Sequence, residues 1–224
     1  MSPVSAAFVP MSPLLFRHLG GAADPLAELR SAAVGAVRSA VAGASAVVVL
    51  VPVAGREAPA AWWDPSGVLP GGPPLGTQVG AHLLELAGCP LPTSYVEVRA
   101  RDVISAQLRP NDTATADFDV IPAQLRGHDT AALLVLGDGA AARRDGAPGY
   151  VDERSFAYDD QVAAALAAGD ADAMTALDAD LGAELLATGR LTWPVAAAAF
   201  RPDTAELCWR GDPLGLSYFV ALWR

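Results

Sequence analysis

The side chains best placed for chemistry lie between Leu133 and Asp170, in the segment LLVLGDGAAARRDGAPGYVDERSFAYDDQVAAALAAGD. A short apolar strand, Leu133 to Leu136, stops at Gly137-Asp138-Gly139, and a loop rich in Gly, Arg and acid runs on to a helix near Ser155. Ligands of open α/β sheets sit beyond the carboxyl ends of strands, so a carboxylate there can orient a ligand or catalyse. Asp138 is the candidate catalytic residue on that ground. The competing reading is a turn cap, with the carboxylate bonded to neighbouring amides. Arg143 and Arg144 add two guanidinium groups that, with the loop amides, could hold an anion.

Other constellations are sparse. Nucleophilic catalysis needs a Ser or Cys within reach of an imidazole, and the chain has no GxSxG elbow and three histidines. His82 falls inside a helix, His128 in a turn, and His18 in the loop beyond the first strand, near the expected mouth of the sheet. No HxH, HExxH or CxxC spacing announces a metal site. Asp138, Asp145, Asp152, Glu153, Asp159 and Asp160 could hold a hard cation, or serve as solvated acids at a helix start. Lysine is absent, which excludes a Walker-type phosphate loop, Schiff-base catalysis and a lysine-anchored pyridoxal cofactor.

With 224 residues the chain suits one domain with a large core, and 52% hydrophobic content argues against disorder. A net charge of −10 opposes attraction to nucleic acid or to an anionic membrane. Cys89 and Cys208 read as two reduced, mostly buried thiols. The N-terminus lacks a basic segment ahead of its apolar residues and is broken by Pro3, Pro10 and Pro13, and the apolar run Ala44 to Ala54 is too short to span a bilayer. A cytoplasmic location is the expectation.

The elements that must position these groups alternate. Val4 to Val9 reads as a strand closed by Pro10. Asp24 as N-cap and Pro25 at the first position predict a helix whose stripe is Leu26, Leu29, Ala33, Val37 and Val41, ended by Gly43. Ser45 to Val53 is apolar on both faces, as a central parallel strand would be. Ala54 to Gly76, with Trp62-Trp63, reads as a functional loop or a lid over the sheet edge. Thr77 to Ala87 is a helix with Val79, Leu83 and Leu86 inward, and Ser94 to Val98 a strand; Arg99 to Asp129 fits strand or helix.

After the focal strand, Ser155 to Ala168 is a helix burying Tyr158, Val162, Ala165 and Leu166, closed by Gly169. Two alanine-rich helices opened by Asp170 or Asp172 and by Asp178 follow, then a break at Gly189 and a helix from Trp193-Pro194 to Phe200. Glu206 to Trp209 and Ser217 to Trp223 pair as a terminal hairpin. The alternation predicts the α/β class: a three-layer α/β/α sandwich around a mostly parallel, mixed sheet, as one domain over residues 1–224.

Four segments, in the order AAFVPMSPLLFRHLGGA, PPLGTQVGAHLLELAG, LVLGDGAAARRDGAPGYVDERSFAYDDQVAAALAAGD and LGLSYFVALW, resemble a bacterial group related to the catalytic subunit of class III extradiol ring-cleavage dioxygenases. This is the LigB-like superfamily, which also contains the Memo-like proteins. The resemblance spans nearly the whole chain, its central run being the distinctive part, and it implies an α/β/α sandwich around a mixed sheet. Active members hold iron(II) with two histidines and a glutamate, and use a further histidine as acid/base. The first ligand position corresponds to Met11, in Val9-Pro10-Met11-Ser12. The second corresponds to Val53-Ala54-Gly55-Arg56, and the acid/base position to Gly137-Asp138-Gly139. None carries a histidine, so the resemblance implies the fold and transfers no metal ligand and no cofactor.

Three expectations follow. The first is an extradiol dioxygenase-like fold without the iron site, binding a small ligand or a partner at the strand ends, or running a metal-free reaction, with Met11, His18, Arg56, Asp138, Arg143 and Arg144 as candidate contacts. The second is an oxidoreductase holding Fe(II) with an atypical set, His18 with Asp138 and Glu153. The third is a structural protein whose Trp62-Trp63 and SYFVALW strand build a homo-oligomer interface.

Overall fold

The computed structural model describes residues 3–53, 74–100, 103 and 129–224. The longest aliphatic runs become interior strands: β1 (Ser5–Val9), β2 (Ala46–Pro52) and β4 (Ala131–Leu136) are buried at every position. With β3 (Thr93–Val98), β5 (Ala205–Gly211) and β6 (Tyr218–Trp223) they form a six-stranded sheet in the order β3-β2-β4-β1-β6-β5. Neighbours among β1 to β4 pair parallel, whereas β6 runs antiparallel to both β1 and β5.

Helices α1 (Ala27–Val41) and α2 (Leu75–Ala87) cover one face. Helices α3 (Arg154–Ala168), α4 (Ala171–Thr175), α5 (Ala179–Glu184) and α6 (Gly189–Ala199) cover the other. Successive strand residues point to opposite faces, so Val9, Val49 and Leu136 join the α1–α2 layer while Phe8, Leu50 and Val135 join the α3–α6 layer. Covered on both sides, these strands carry no polar alternation. Truncating a fully buried member such as Leu50 to Ala costs about 2–5 kcal/mol. The α/β class, the three layers and the mostly parallel mixed sheet are thus as the sequence implies.

Helix starts are partly as expected. Asp170 and Asp178 cap α4 and α5, each accepting an N–H three residues on. Asp24 does not cap α1, which begins at Ala27; Asp24 has φ 40° and grips Arg30 through both carboxylate oxygens, at 2.7 and 2.8 Å. Arg30 also donates to the carbonyls of Leu14 and Leu15, tying the loop after β1 to α1. Leu86 lies outside the buried stripe of α2 and is exposed, with Leu84 buried instead. Helix α6 starts at Gly189, four residues before Trp193, and carries Pro194 within it.

Strand β6 corrects the interface expectation. SYFVALW lies between β1 and β5, buried at each of Tyr218 to Trp223, and so presents no surface to a second chain. Trp62-Trp63 and most of the ambiguous stretch 99–129 lie outside the described residues. Cys89 and Cys208 are free and half-buried rather than buried. Among the described residues no helix is long and apolar enough to cross a membrane.

One feature of the topology positions the site. Adjacent strands β1 and β4 send their chains to opposite faces, β1 toward α1 and β4 toward α3. The gap between their carboxyl ends is therefore a topological switch point, where open α/β sheets accommodate ligands.

Candidate functional site at the β1–β4 switch point

Asp138 lies in this gap. Gly137 N–H donates to the Val9 carbonyl (3.0 Å), carrying the β1–β4 ladder one step past its end. The Val9↔Leu136 register continued two places sets Met11 opposite Asp138, while Ser217, just before β6, bonds the β4 loop, its carbonyl accepting from Gly139 N–H (2.8 Å) and its N–H donating to the Ala140 carbonyl (2.9 Å). Met11 thus faces Asp138 across the gap. Its backbone N–H donates to Asp138 Oδ1 at 2.9 Å, joining the two strand-end loops. The turn-cap reading of Asp138 is thereby replaced, since its partner lies across the crevice and not within the turn.

Helix α6 fixes the Asp138 backbone. Asp138 N–H donates to Thr188 Oγ1 (2.8 Å), and Gly189 N–H donates to the Asp138 carbonyl (2.9 Å). Thr192 Oγ1 donates to the Leu136 carbonyl (2.6 Å), closing the end of β4. The seam leaves no room for a side chain at Gly137, where an added Cβ would stand 2.5 Å from Gly189 Cα.

Burial sets the electrostatics. Asp138 is 1% exposed, and removal from water pushes its carboxyl up to about 7, against the opposing pull of the Met11 N–H. Near neutral pH it therefore exists in both acid and anionic forms. Among the described residues Oδ2 accepts no hydrogen bond. Tyr218 and Ser12 are each 2% exposed, and Tyr218 Oη donates to Ser12 Oγ over a long 3.4 Å. Burial first, and Asp138 second, raise the Tyr218 hydroxyl well above the usual phenol range, so it stays an O–H donor.

A second buried acid braces the loop. Asp159 accepts from Ala140 N–H (3.0 Å) and from Arg143 Nη1 (3.0 Å), and Arg143 Nε donates to Asp212 Oδ2 (2.7 Å). The Arg143 guanidinium also lies 4.4 Å from the Phe156 ring centroid. Burial pushes the Asp159 carboxyl above its ordinary range, opposed by the Ala140 N–H, the Ser217 hydroxyl and Arg143. Arg144 donates to the Pro213 carbonyl (2.6 Å). Both arginines therefore tie the focal loop to the β5–β6 turn.

Of the residues singled out from sequence, the fold brings Met11 and Asp138 together, Met11 through its backbone. The Met11 thioether packs toward Gly76 in the first turn of α2, where an added Cβ would lie 3.0 Å from Sδ. His18 is exposed beyond the β1 loop, edge-on to Phe16, which stacks on His82 at 4.4 Å. Burial lowers the pKa of His82. Arg56 and His128 lie outside the described residues. Glu153 and His18 are both exposed while Asp138 is buried, so these three do not form a ligand set.

Iron(II) does not fit the described residues. Among the described residues no group of three or more His, Cys, Asp or Glu side chains could hold a metal ion.

Sequence reasoning passed over Ser12, Thr188 and Tyr218, and read Asp159 as a cation ligand or a solvated acid where it is a buried brace. For Asp159 a signal existed. Ser155, Tyr158, Asp159, Val162 and Leu166 recur at helical spacing and are all buried, so Asp159 belongs to the inward stripe of α3 rather than to a solvated helix start. For Ser12 and Tyr218 only the strand register brings them together.

A scan of the chain against protein-family models gives no match, and a search of the curated proteins gives none either.

Proposed function

We propose that this protein binds a small molecule in the crevice where the β1 and β4 chains part, with Asp138 orienting it. The fold on which it does so is of the extradiol dioxygenase-like kind, with the iron chemistry given up. The single observation that carries this reading is the Asp138 carboxyl: buried, bonded to Met11 through one oxygen, with no partner among the described residues for the other. Such a group costs folding stability wherever nothing uses it, and strongly perturbed acids cluster at functional sites. The switch-point location and the buried Ser12 and Tyr218 support the same reading. If a reaction is run there, an acid near neutrality suits proton transfer to or from the bound molecule.

The loss of iron chemistry is supported by Met11 and Asp138 standing where the resemblance places histidines. The test is a thermal-shift screen of small polar compounds on wild type and Asp138→Ala, with elemental analysis of the purified protein. The expected result is a compound that raises the melting temperature of wild type and leaves the variant unmoved. Stoichiometric iron together with cleavage of a catechol ring would overturn the proposal.

A further inference from the structure

Asp138 is closed to solvent at 1% exposure, so a ligand reaches its carboxyl only where a covering segment moves. Among the described residues two other segments bond directly to Asp138: the β1 loop at Met11, and the connection 185–189 between α5 and α6. The β1 loop is pinned, because Arg30, itself gripped by Asp24, donates to the Leu14 and Leu15 carbonyls and Phe16 stacks on His82. The connection 185–189 contains no ionisable side chain.

That connection closes α5 with a leucine at a position glycine ordinarily fills. Leu186 N–H donates to the Ala183 carbonyl (3.1 Å) and Ala187 N–H to the Gly182 carbonyl (2.8 Å), the paired bonds of a helix end, with Leu186 left-handed at φ 58°. Helices α2 and α3 end on Gly88 and Gly169, at φ 71° and 66°. A leucine there costs energy that a glycine does not, and its packing shows what is gained in return. Leu185 is fully buried in the α3–α6 layer, whereas half-buried Leu186 packs against the α1–α2 cluster. These neighbours serve opposite faces of the sheet, and Ala141 N–H, beyond the end of β4, donates to the Leu185 carbonyl (2.9 Å). Leu186 therefore reaches over the carboxyl end of the sheet, two residues from the Thr188 hydroxyl that holds the Asp138 N–H.

Resting on the small-molecule reading above, we propose that residues 185–189 form the lid of the crevice, with Leu186 as its stopper. In the closed form Leu186 spans the carboxyl end of the sheet, and Thr188 and Gly189 hold the Asp138 backbone. In the open form Leu186 leaves the left-handed region, its side chain withdraws from the α1–α2 cluster, and the bonds of Thr188 and Gly189 to Asp138 part. Release of the backbone strain offsets part of the lost packing, so the lid opens locally while the sheet stays folded.

The test is native-state amide hydrogen exchange, followed by NMR on the intact protein with no ligand added. The amides of Asp138, Ala187 and Gly189 should exchange through one shared opening, about tenfold or more frequent than the opening that exposes the amides of β2. Leu186→Ala and Leu186→Gly both remove the stopper and differ in the cost of the left-handed backbone. The lid amides should therefore exchange about fivefold more slowly in Leu186→Gly than in Leu186→Ala. Exchange of the wild-type lid amides only together with β2, or equal lid exchange in the two variants, overturns the lid. Local opening at the Met11 amide alone also overturns it, by placing entry at the β1 loop, and leaves the small-molecule reading standing. A lid that opens as expected, with no compound in the thermal-shift screen that depends on Asp138, upholds the lid and overturns that reading.

Discussion

The backbone N–H of Met11 donates to Asp138 Oδ1 at 2.9 Å, across 127 residues of sequence and between two loops that leave the sheet on opposite faces. That contact is the only hydrogen bond of the Asp138 side chain among the described residues. A lone amide donor does not offset the removal of a carboxylate from water, and the acid form prevails to about pH 7.

The consequence for stability has a definite sign. The folded protein holds the Asp138 proton to about pH 7, whereas the unfolded chain releases it near the ordinary aspartate value of about 4. The stabilising contribution is therefore complete below about pH 4 and is lost as pH rises through 7. Asp138→Asn mimics the acid form at every pH. Its stability relative to wild type should rise by about 4 kcal/mol between about pH 4 and about pH 8, measured by urea denaturation at a series of pH values.

Arg143 is the residue of the loop whose loss should cost most. It is 12% exposed between Asp159, which is 0% exposed, and Asp212, which is 47% exposed. Arg143→Ala strands a buried carboxylate and should lose about 3–5 kcal/mol. Asp212→Ala breaks a half-exposed pair and should lose about 1 kcal/mol or less. Equal losses from the two variants would show that Asp159 finds another partner.

Glycine substitutions separate packing from propensity. Gly137→Ala drives a methyl into the Gly189 backbone, and the seam that holds Asp138 must open, at a cost of about 3 kcal/mol. Gly35→Ala, in α1 with nothing within 4 Å of the new carbon, should instead stabilise by about 0.5–1 kcal/mol. Thermal melts of the two variants should move in opposite directions.

Much of the fold was legible because local chemistry dictated it. The run SAVVVLVPV announces a strand covered on both faces, and it is one: β2 is buried from Ala46 to Pro52. Asp170 and Asp178 announce helix starts, and both cap as their chemistry requires. What was not legible depends on distant partners. Gly189 reads locally as a breaker, yet it opens α6, where an added Cβ would run into the Trp193 ring. Asp24 reads as a cap, yet Arg30 captures it. SYFVALW reads as a strand fit for a homo-oligomer interface, yet it lies between β1 and β5 and is interior.

The site was legible in Asp138 and Met11 and hidden in the rest. Asp138 stands out because a carboxylate after a buried strand is conspicuous. Its partner Met11 comes from another strand, and only the register of β1 against β4 shows that the two meet through the Met11 amide. Arg143 and Arg144 looked available for a ligand because the sequence does not show Asp159, Asp212 and the Pro213 carbonyl that occupy them.

The central claim is that a proton-bearing carboxyl waits at the β1–β4 switch point. Its most direct test is a ¹³C NMR titration of the aspartate carboxyl carbons, with the Asp138 signal assigned by its absence from Asp138→Asn. A midpoint about 7 is the predicted result. A midpoint in the ordinary aspartate range, about 4, would mean that the crevice solvates or pairs the charge, and would contradict the account.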